Sequence, residues 1–375
     1  QGFTKIYLPR ANASEAAFIE GIEIYALDNL KEFIDHLNSY IELKTTSHKQ
    51  LSSLLRSHRP LIDYSFDKII GLQQAKRALQ IAAAGHHNVL MYGNPGCGKT
   101  ILARAFKSLL SSMSSEEILE TSEIHSIAGL LNQDQALTLQ RPFREVHSNA
   151  TTSSLIGGGT HSPQPGEISL AHNGVLFLDE IAEFKKHTLE SLRQPLEDRQ
   201  IHINRNNFKS SFPASFILLA TMNPCPCGYH RDSKIKCICT LSQIKNYQRK
   251  ISGPLLDRFD IILKVPKITI KNIFSNKKVS NSNLPVQKAS RIQSLRFAQS
   301  PINKNSQMSL DQIKAHCQMS KESEEKLNGA INSMHISNRG HLKVIKLARS
   351  IADLENSTEI KYNHILEALQ YRKGF

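Results

Sequence analysis

Between Tyr64 and about Val265, short apolar runs alternate with stretches of helical periodicity. The runs Asn88–Tyr92, Val175–Leu178, Phe216–Met222 and Ile261–Val265 are almost continuously apolar. That is the pattern of strands buried on both faces of a parallel sheet. Such strands alternating with helices predict an α/β core. Past about Pro285 the period changes. Val344, Leu347, Ala348, Ile351 and Leu354 repeat at helical spacing, predicting a small all-helical domain. At the front, residues 1–43 read as strand, helix, strand, helix, a partial α+β unit. Lys5–Leu8 and Glu23–Leu27 are the strands. Asn12 or Ser14 is expected to cap the first helix, which runs to Glu20. Asp28 is expected to cap the second, with Leu30, Phe33, Ile34 and Leu37 on one face.

The map that follows has five parts: residues 1–43, a polar linker over 44–63, an α/β core over 64–265, a basic linker over 266–284 and helices over 285–375. A chain of 375 residues is too long for one core, and 40% apolar residues suffice for real ones. Residues 1–43 alone are too few for a stable domain, and the chain opens at Gln1 without Met, so it reads as a piece of a longer protein. No apolar run reaches bilayer length and no signal-peptide pattern opens the chain. Six cysteines do not suggest a disulfide scaffold. Four of them cluster, as at a metal site in a reducing compartment, so the expected location is the cytoplasm.

Charge sharpens the picture. Lys and Arg number 47 against 33 Asp and Glu, a net +14. Such an excess draws nucleic acid by counterion release, or serves solubility. Its distribution is uneven. No acidic residue lies between Asp260 and Asp311, while Lys264, Lys267, Lys271, Lys277, Lys278, Lys288, Arg291, Arg296 and Lys304 do.

The chemistry is most legible after the first core strand. Gly93-Asn94-Pro95-Gly96-Cys97-Gly98-Lys99-Thr100 is a complete P-loop, set between a strand and a helix. Its N–H groups can turn around phosphate oxygens. Lys99 is placed to reach the β- and γ-phosphates of ATP, and Thr100 to ligate Mg²⁺. Val175–Leu178 ends in Asp179-Glu180 at the edge where open α/β sheets bind ligands. Asp179 would hold the Mg²⁺ shell and Glu180 would polarise the attacking water. Asn223, after the strand Phe216–Met222, could orient that water or be an ordinary Asn-Pro turn. Arg258, just before Ile261–Val265, is a candidate arginine finger for a neighbour's nucleotide. The alternative is a salt bridge with Asp257 or Asp260. Arg339 could sense the γ-phosphate from the helical domain, or be a solvated helix start.

Together these pieces resemble the AAA+ superfamily, in the branch of MCM helicases and magnesium chelatases. Two insertions carry the branch. Leu155–His161 with Pro165–His172 looks like a helix-2 insert hairpin. Gln200–Lys209 alternates and turns like a pre-sensor hairpin. Within the branch the chain is similar to the magnesium chelatase-like ComM/YifB family over nearly its whole length. Ala75–Leu79, Ile81–Gly85, Arg141–Arg144, Gly174–Glu180, Leu192–Asp198, Met222–Gly228 and Ile351–Leu354 carry that likeness. Residues 1–43 resemble the end of the family's Lon-protease-like N-terminal domain, whose front the chain then lacks. No Ser/Lys catalytic pair can be identified there. The usual P-loop Pro and Ser stand here as Asn94 and Cys97, and Val146-His147-Ser148 replaces the usual Pro-His-His.

The resemblance implies an AAA+ core with a helical lid, assembled as a hexameric helicase driving branch migration of transforming DNA. In relatives that thread DNA the hairpins point into the pore, so Arg205 and Lys209 are candidates for phosphate contact. The competing reading is a chelatase-like ATPase that remodels a protein partner for metal insertion. The Lon-like remnant, the cysteines and the basic run favour DNA. Cys225-Pro226-Cys227 and Cys237-Ile238-Cys239 could close a Zn²⁺ site or remain reduced thiols.

Overall fold

The computed structural model of the chain describes residues 3–19, 21–47, 64–131, 136–159, 163–205, 208–267, 282–300, 302–333 and 337–372. Their strands are β1 (Lys5–Pro9), β2 (Glu23–Leu27), β3 (Val89–Tyr92), β4 (Phe143–Val146), β5 (Gly157–Gly158), β6 (Gln164–Pro165), β7 (Val175–Leu178), β8 (Gln200–Arg205), β9 (Phe208–Pro213), β10 (Ile217–Met222) and β11 (Ile261–Lys264). Five of them form an all-parallel sheet in the order β11-β3-β10-β7-β4.

Alternation along each strand divides the apolar runs between two cores. Val89, Met91, Val175, Phe177, Ile217, Leu219, Ile261 and Leu263 face one. Leu90, Leu176, Leu178, Leu218, Ala220, Met222 and Ile262 face the other. Both faces are covered, so continuous apolar runs are what this sheet requires. The first core is shared with the helices Gln73–Gly85, Lys99–Phe106, Asn338–Leu354 and Tyr362–Gln370. The edge strand β11 is sealed by the C-terminal segment, where Ile262 N–H donates to the Tyr371 carbonyl at 2.9 Å.

The expected helical region is present. Val344, Leu347, Ala348 and Ile351 are fully buried along the Asn338–Leu354 helix. Its polar interior is organised around Asp353, which takes both arms of Arg296 at 2.6 and 2.8 Å, Arg349 Nε at 3.0 Å and Asn305 Nδ2 at 2.8 Å. Arg296 is thereby spent inside the fold. Lys267 pairs with Asp232 and Lys304 is buried. The acid-free run is therefore only in part a free basic surface. Lys271, Lys277 and Lys278 lie outside the described residues.

Contacts divide the chain into two compact units, residues 1–61 with 113–140, and residues 62–112 with 141–375. In the first, β1 and β2 pair in parallel. Phe18, Met113, Ile118 and Leu137 form its small core, and the Ser115–Ile127 helix starts in a capping box of Ser114 and Glu117. Two helix starts differ from expectation. The first helix runs Arg10–Ala16 from Pro9, because proline fits a helix start and lacks the N–H that would extend the strand ladder. The second is capped by Asn29, not Asp28, because the Asp28 carboxylate is engaged by Arg10 at 2.5 and 2.7 Å. No helix among the described residues is long and apolar enough to cross a membrane.

Candidate active site

The P-loop leaves β3 at its C-terminal end and returns as the helix Lys99–Phe106. Gly96 and Gly98 take φ of +71° and +92°, the left-handed conformations that let successive N–H groups turn inward. Lys99 is 8% exposed. Its ammonium donates to the Gly93 carbonyl at 2.6 Å, the Asn94 carbonyl at 3.1 Å and Asn223 Oδ1 at 3.1 Å. Burial lowers its pKa, so the charge is held poorly solvated and is strongly attracted to an anion.

The neighbouring strand ends supply the oxygen side. Thr100 Oγ1 donates to Asp179 Oδ2 at 3.1 Å. A hydroxyl and a carboxylate on one point form a hard oxygen pair that suits Mg²⁺. Thr221 Oγ1 donates to the other Asp179 oxygen and accepts the Glu180 N–H at 2.9 Å. Asn223 Nδ2 donates to Glu180 Oε1 at 3.3 Å. Lys99, Thr100, Asp179, Glu180 and Asn223, all singled out in the sequence, are thus brought together across β3, β10 and β7. Thr221 was missed. Its signal was present: it is the one hydroxyl in the otherwise apolar strand Ile217–Met222, and it is fully buried.

Arg258 and Arg339 lie at the other end of the sheet. The Arg258 carbonyl accepts from Asn88 Nδ2 at 3.1 Å, just ahead of β3. Four residues of parallel strand, about 13 Å, separate that point from the P-loop. Neither Asp257 nor Asp260 takes the Arg258 side chain. It reaches Glu197 at 2.5 Å and the Pro254 carbonyl at 2.9 Å, and its buried Nε has no partner among the described residues. Arg339 pairs with the other oxygen of Glu197. Both arginines line a cavity of ≈ 210 Å³ together with Arg199, Lys343 and Lys346. Burial lowers the pKa of each of the last three, so the cavity is rich in poorly solvated cations. Burial opposes ionisation of Asp260 there. Lys343 at 2.8 Å and His87 outweigh it and hold the carboxyl well below the usual carboxylate range. Glu197 lies inside a stretch noted for family likeness, but its bridging role needed the fold.

The hairpins are formed. β8 and β9 pair antiparallel from Gln200↔Pro213 to Arg205↔Phe208, and β5 pairs with β6. Lys209 is exposed. Arg205 ends β8, and its side chain lies outside the described part. Cys225, Cys227, Cys237 and Cys239 place all four sulfurs within 4.8 Å of one another.

Comparison with known proteins gives this arrangement a family. Residues 65–273 match the family Magnesium chelatase, subunit ChlI, and residues 278–372 match its C-terminal part. The chain belongs to the magnesium chelatase ChlI family. It is accordingly an AAA+ ATPase. The chain is 37% identical over 370 residues to the uncharacterized protein YifB of Escherichia coli, covering 98% of this chain and 71% of that protein. It is 37% identical over 371 residues to the competence protein ComM of Haemophilus influenzae, again 98% and 71%. Lon protease 2 of Bacillus subtilis is 25% identical over 194 residues, 43% of this chain and 33% of that protein.

Proposed function

We propose that this family member is a ring-forming, Mg²⁺-dependent ATP hydrolase that moves or remodels DNA, a branch-migration motor. The observation that carries the ring is the position of Arg258 and Arg339. They converge on Glu197 at the start of the strands, while Lys99 and Thr100 stand at the strand ends. An arginine one strand length from its own P-loop serves a nucleotide bound by the next subunit. A closed ring, of which a homo-hexamer is the form the family resemblance implies, supplies that neighbour to every copy.

Within each site Lys99 grips the β- and γ-phosphates. Thr100 and Asp179 hold Mg²⁺, which when bound neutralises charge on those phosphates. Asn223 holds Glu180 toward the attacking water, and Glu180 takes its proton. Thr221 keeps Asp179 and the Glu180 backbone in register. Arg258 and Arg339 of the adjacent copy stabilise the charge of the transferring phosphoryl group. Glu197 parks both until the neighbour's phosphate replaces it.

The DNA reading draws on the match to a competence protein, the +14 charge and the β8–β9 hairpin with exposed Lys209. Steady-state ATPase measured with and without forked DNA tests it. Hydrolysis is expected to rise several-fold with DNA at moderate salt. An unchanged rate with no DNA binding would transfer the assignment to a chelatase-like ATPase acting on a protein partner.

A further inference from the structure

The four cysteines stand on one loop that begins right after Asn223 and ends at the helix Leu241–Gln248. Three sulfur separations are 3.4 Å (Cys225–Cys227), 3.5 Å (Cys227–Cys237) and 3.7 Å (Cys225–Cys237). These are far too long for disulfides, which need about 2.05 Å. They approach the edges of a tetrahedron built on Zn–S bonds of about 2.3 Å, roughly 3.8 Å. All four cysteines are free, and Cys225 is fully buried. Four sulfurs from two C-x-C pairs, closed on one point, match a structural tetrathiolate zinc site.

The same loop is seated on the P-loop. Asp232, between the cysteine pairs, has a side chain only 2% exposed. Its Oδ2 accepts from Asn94 Nδ2 at 2.5 Å and from Lys267 Nζ at 2.7 Å. Its Oδ1 accepts the N–H groups of Lys234 and Ile235 at 2.7 and 3.0 Å. Gly228 has φ of +83°, and a Cβ there would sit 2.5 Å from Pro95 Cγ. The loop therefore touches two residues of the phosphate turn, Asn94 through a charge-assisted hydrogen bond and Pro95 through close packing.

We propose that Cys225, Cys227, Cys237 and Cys239 hold one zinc ion, and that the pinned loop braces the P-loop through Asp232–Asn94, so that zinc occupancy sets nucleotide affinity. Four ligands to one ion remove freedom that the 15-residue span Cys225–Cys239 would otherwise have, and Asp232 transmits that order to the phosphate turn. Position 94 matters because only a side chain with a donor can make the link. The proposal rests on nucleotide binding at the P-loop and is independent of the DNA reading.

The full chain, purified from zinc-replete cells, is expected to carry one zinc by elemental analysis, and Cys237→Ser with Cys239→Ser to lose it. Stripping with a chelator is expected to weaken binding of a fluorescent ATP analogue about tenfold, reversed by added Zn²⁺. Asn94→Ala is expected to keep its zinc, bind the analogue about tenfold more weakly, and lose no further affinity when stripped. Protein without stoichiometric zinc overturns the site. Zinc-loaded Asn94→Ala with undiminished nucleotide affinity overturns the brace, even where stripped protein fails to fold.

Discussion

At the residue scale, a single buried hydroxyl joins the Asp179 carboxylate to the Glu180 backbone. Thr221 donates to Asp179 and receives the Glu180 N–H, so it fixes the proposed Mg²⁺ ligand relative to the backbone that carries the proposed base. Thr221→Val keeps the shape and deletes both bonds. It should leave nucleotide binding near normal and lower kcat about tenfold, the effect of roughly 1.4 kcal/mol, read by steady-state ATPase beside equilibrium binding. Asp260 is a second residue of this kind. It ties Lys343, His87 and the Asn88 N–H together at the start of β3. Its pKa in the fold lies below that of the unfolded chain. Its stabilisation is therefore full above about pH 4 and declines as pH falls below that value. Asp260→Ala leaves Lys343 buried without its carboxylate and should cost about 3–5 kcal/mol at neutral pH, measured by denaturant unfolding. The loss relative to wild type should narrow in acid.

At the element scale, apolar runs announced the central strands because a sheet covered on both faces needs them. The exception is β4. Phe143–Val146 is an edge strand with two charged residues, and it carries no such run. Arg144 on it instead grips Glu167 at 2.6 and 2.9 Å. The β8–β9 hairpin was legible from the alternation in Gln200–Lys209, while its second strand runs on to Pro213, opposite Gln200. Its expected use is electrostatic. Lys209→Ala should weaken DNA binding similarly for all sequences. It should also flatten the slope of log affinity against log salt by about one unit. Titrations at several salt concentrations read this directly.

At the scale of the whole molecule, the proposed ring assigns the nucleotide end and the arginine end of the sheet to different sites. Arg258→Ala alone should bind ATP and lower hydrolysis about 10³-fold or more. Lys99→Ala alone should fail to grip phosphate. Mixed and allowed to exchange subunits, the two should recover part of the lost activity. An intact P-loop from one then meets an intact arginine from the other. Mixtures as inactive as their components would show that Arg258 acts within its own subunit or not on phosphate at all.

The sequence alone determined the α/β core, its helical C-terminal partner, the P-loop and the carboxylate pair. These depend on local rules: apolar periodicity, the glycine conformations of a phosphate turn, and polar residues at strand ends. Tertiary structure alone decided which distant groups meet. Glu197 joining Arg258 to Arg339, Thr221 beneath Asp179, and Asp232 against Asn94 each depend on the order in which parallel strands lie side by side. That order is set by how two apolar faces are covered at once, and no short window of sequence contains it.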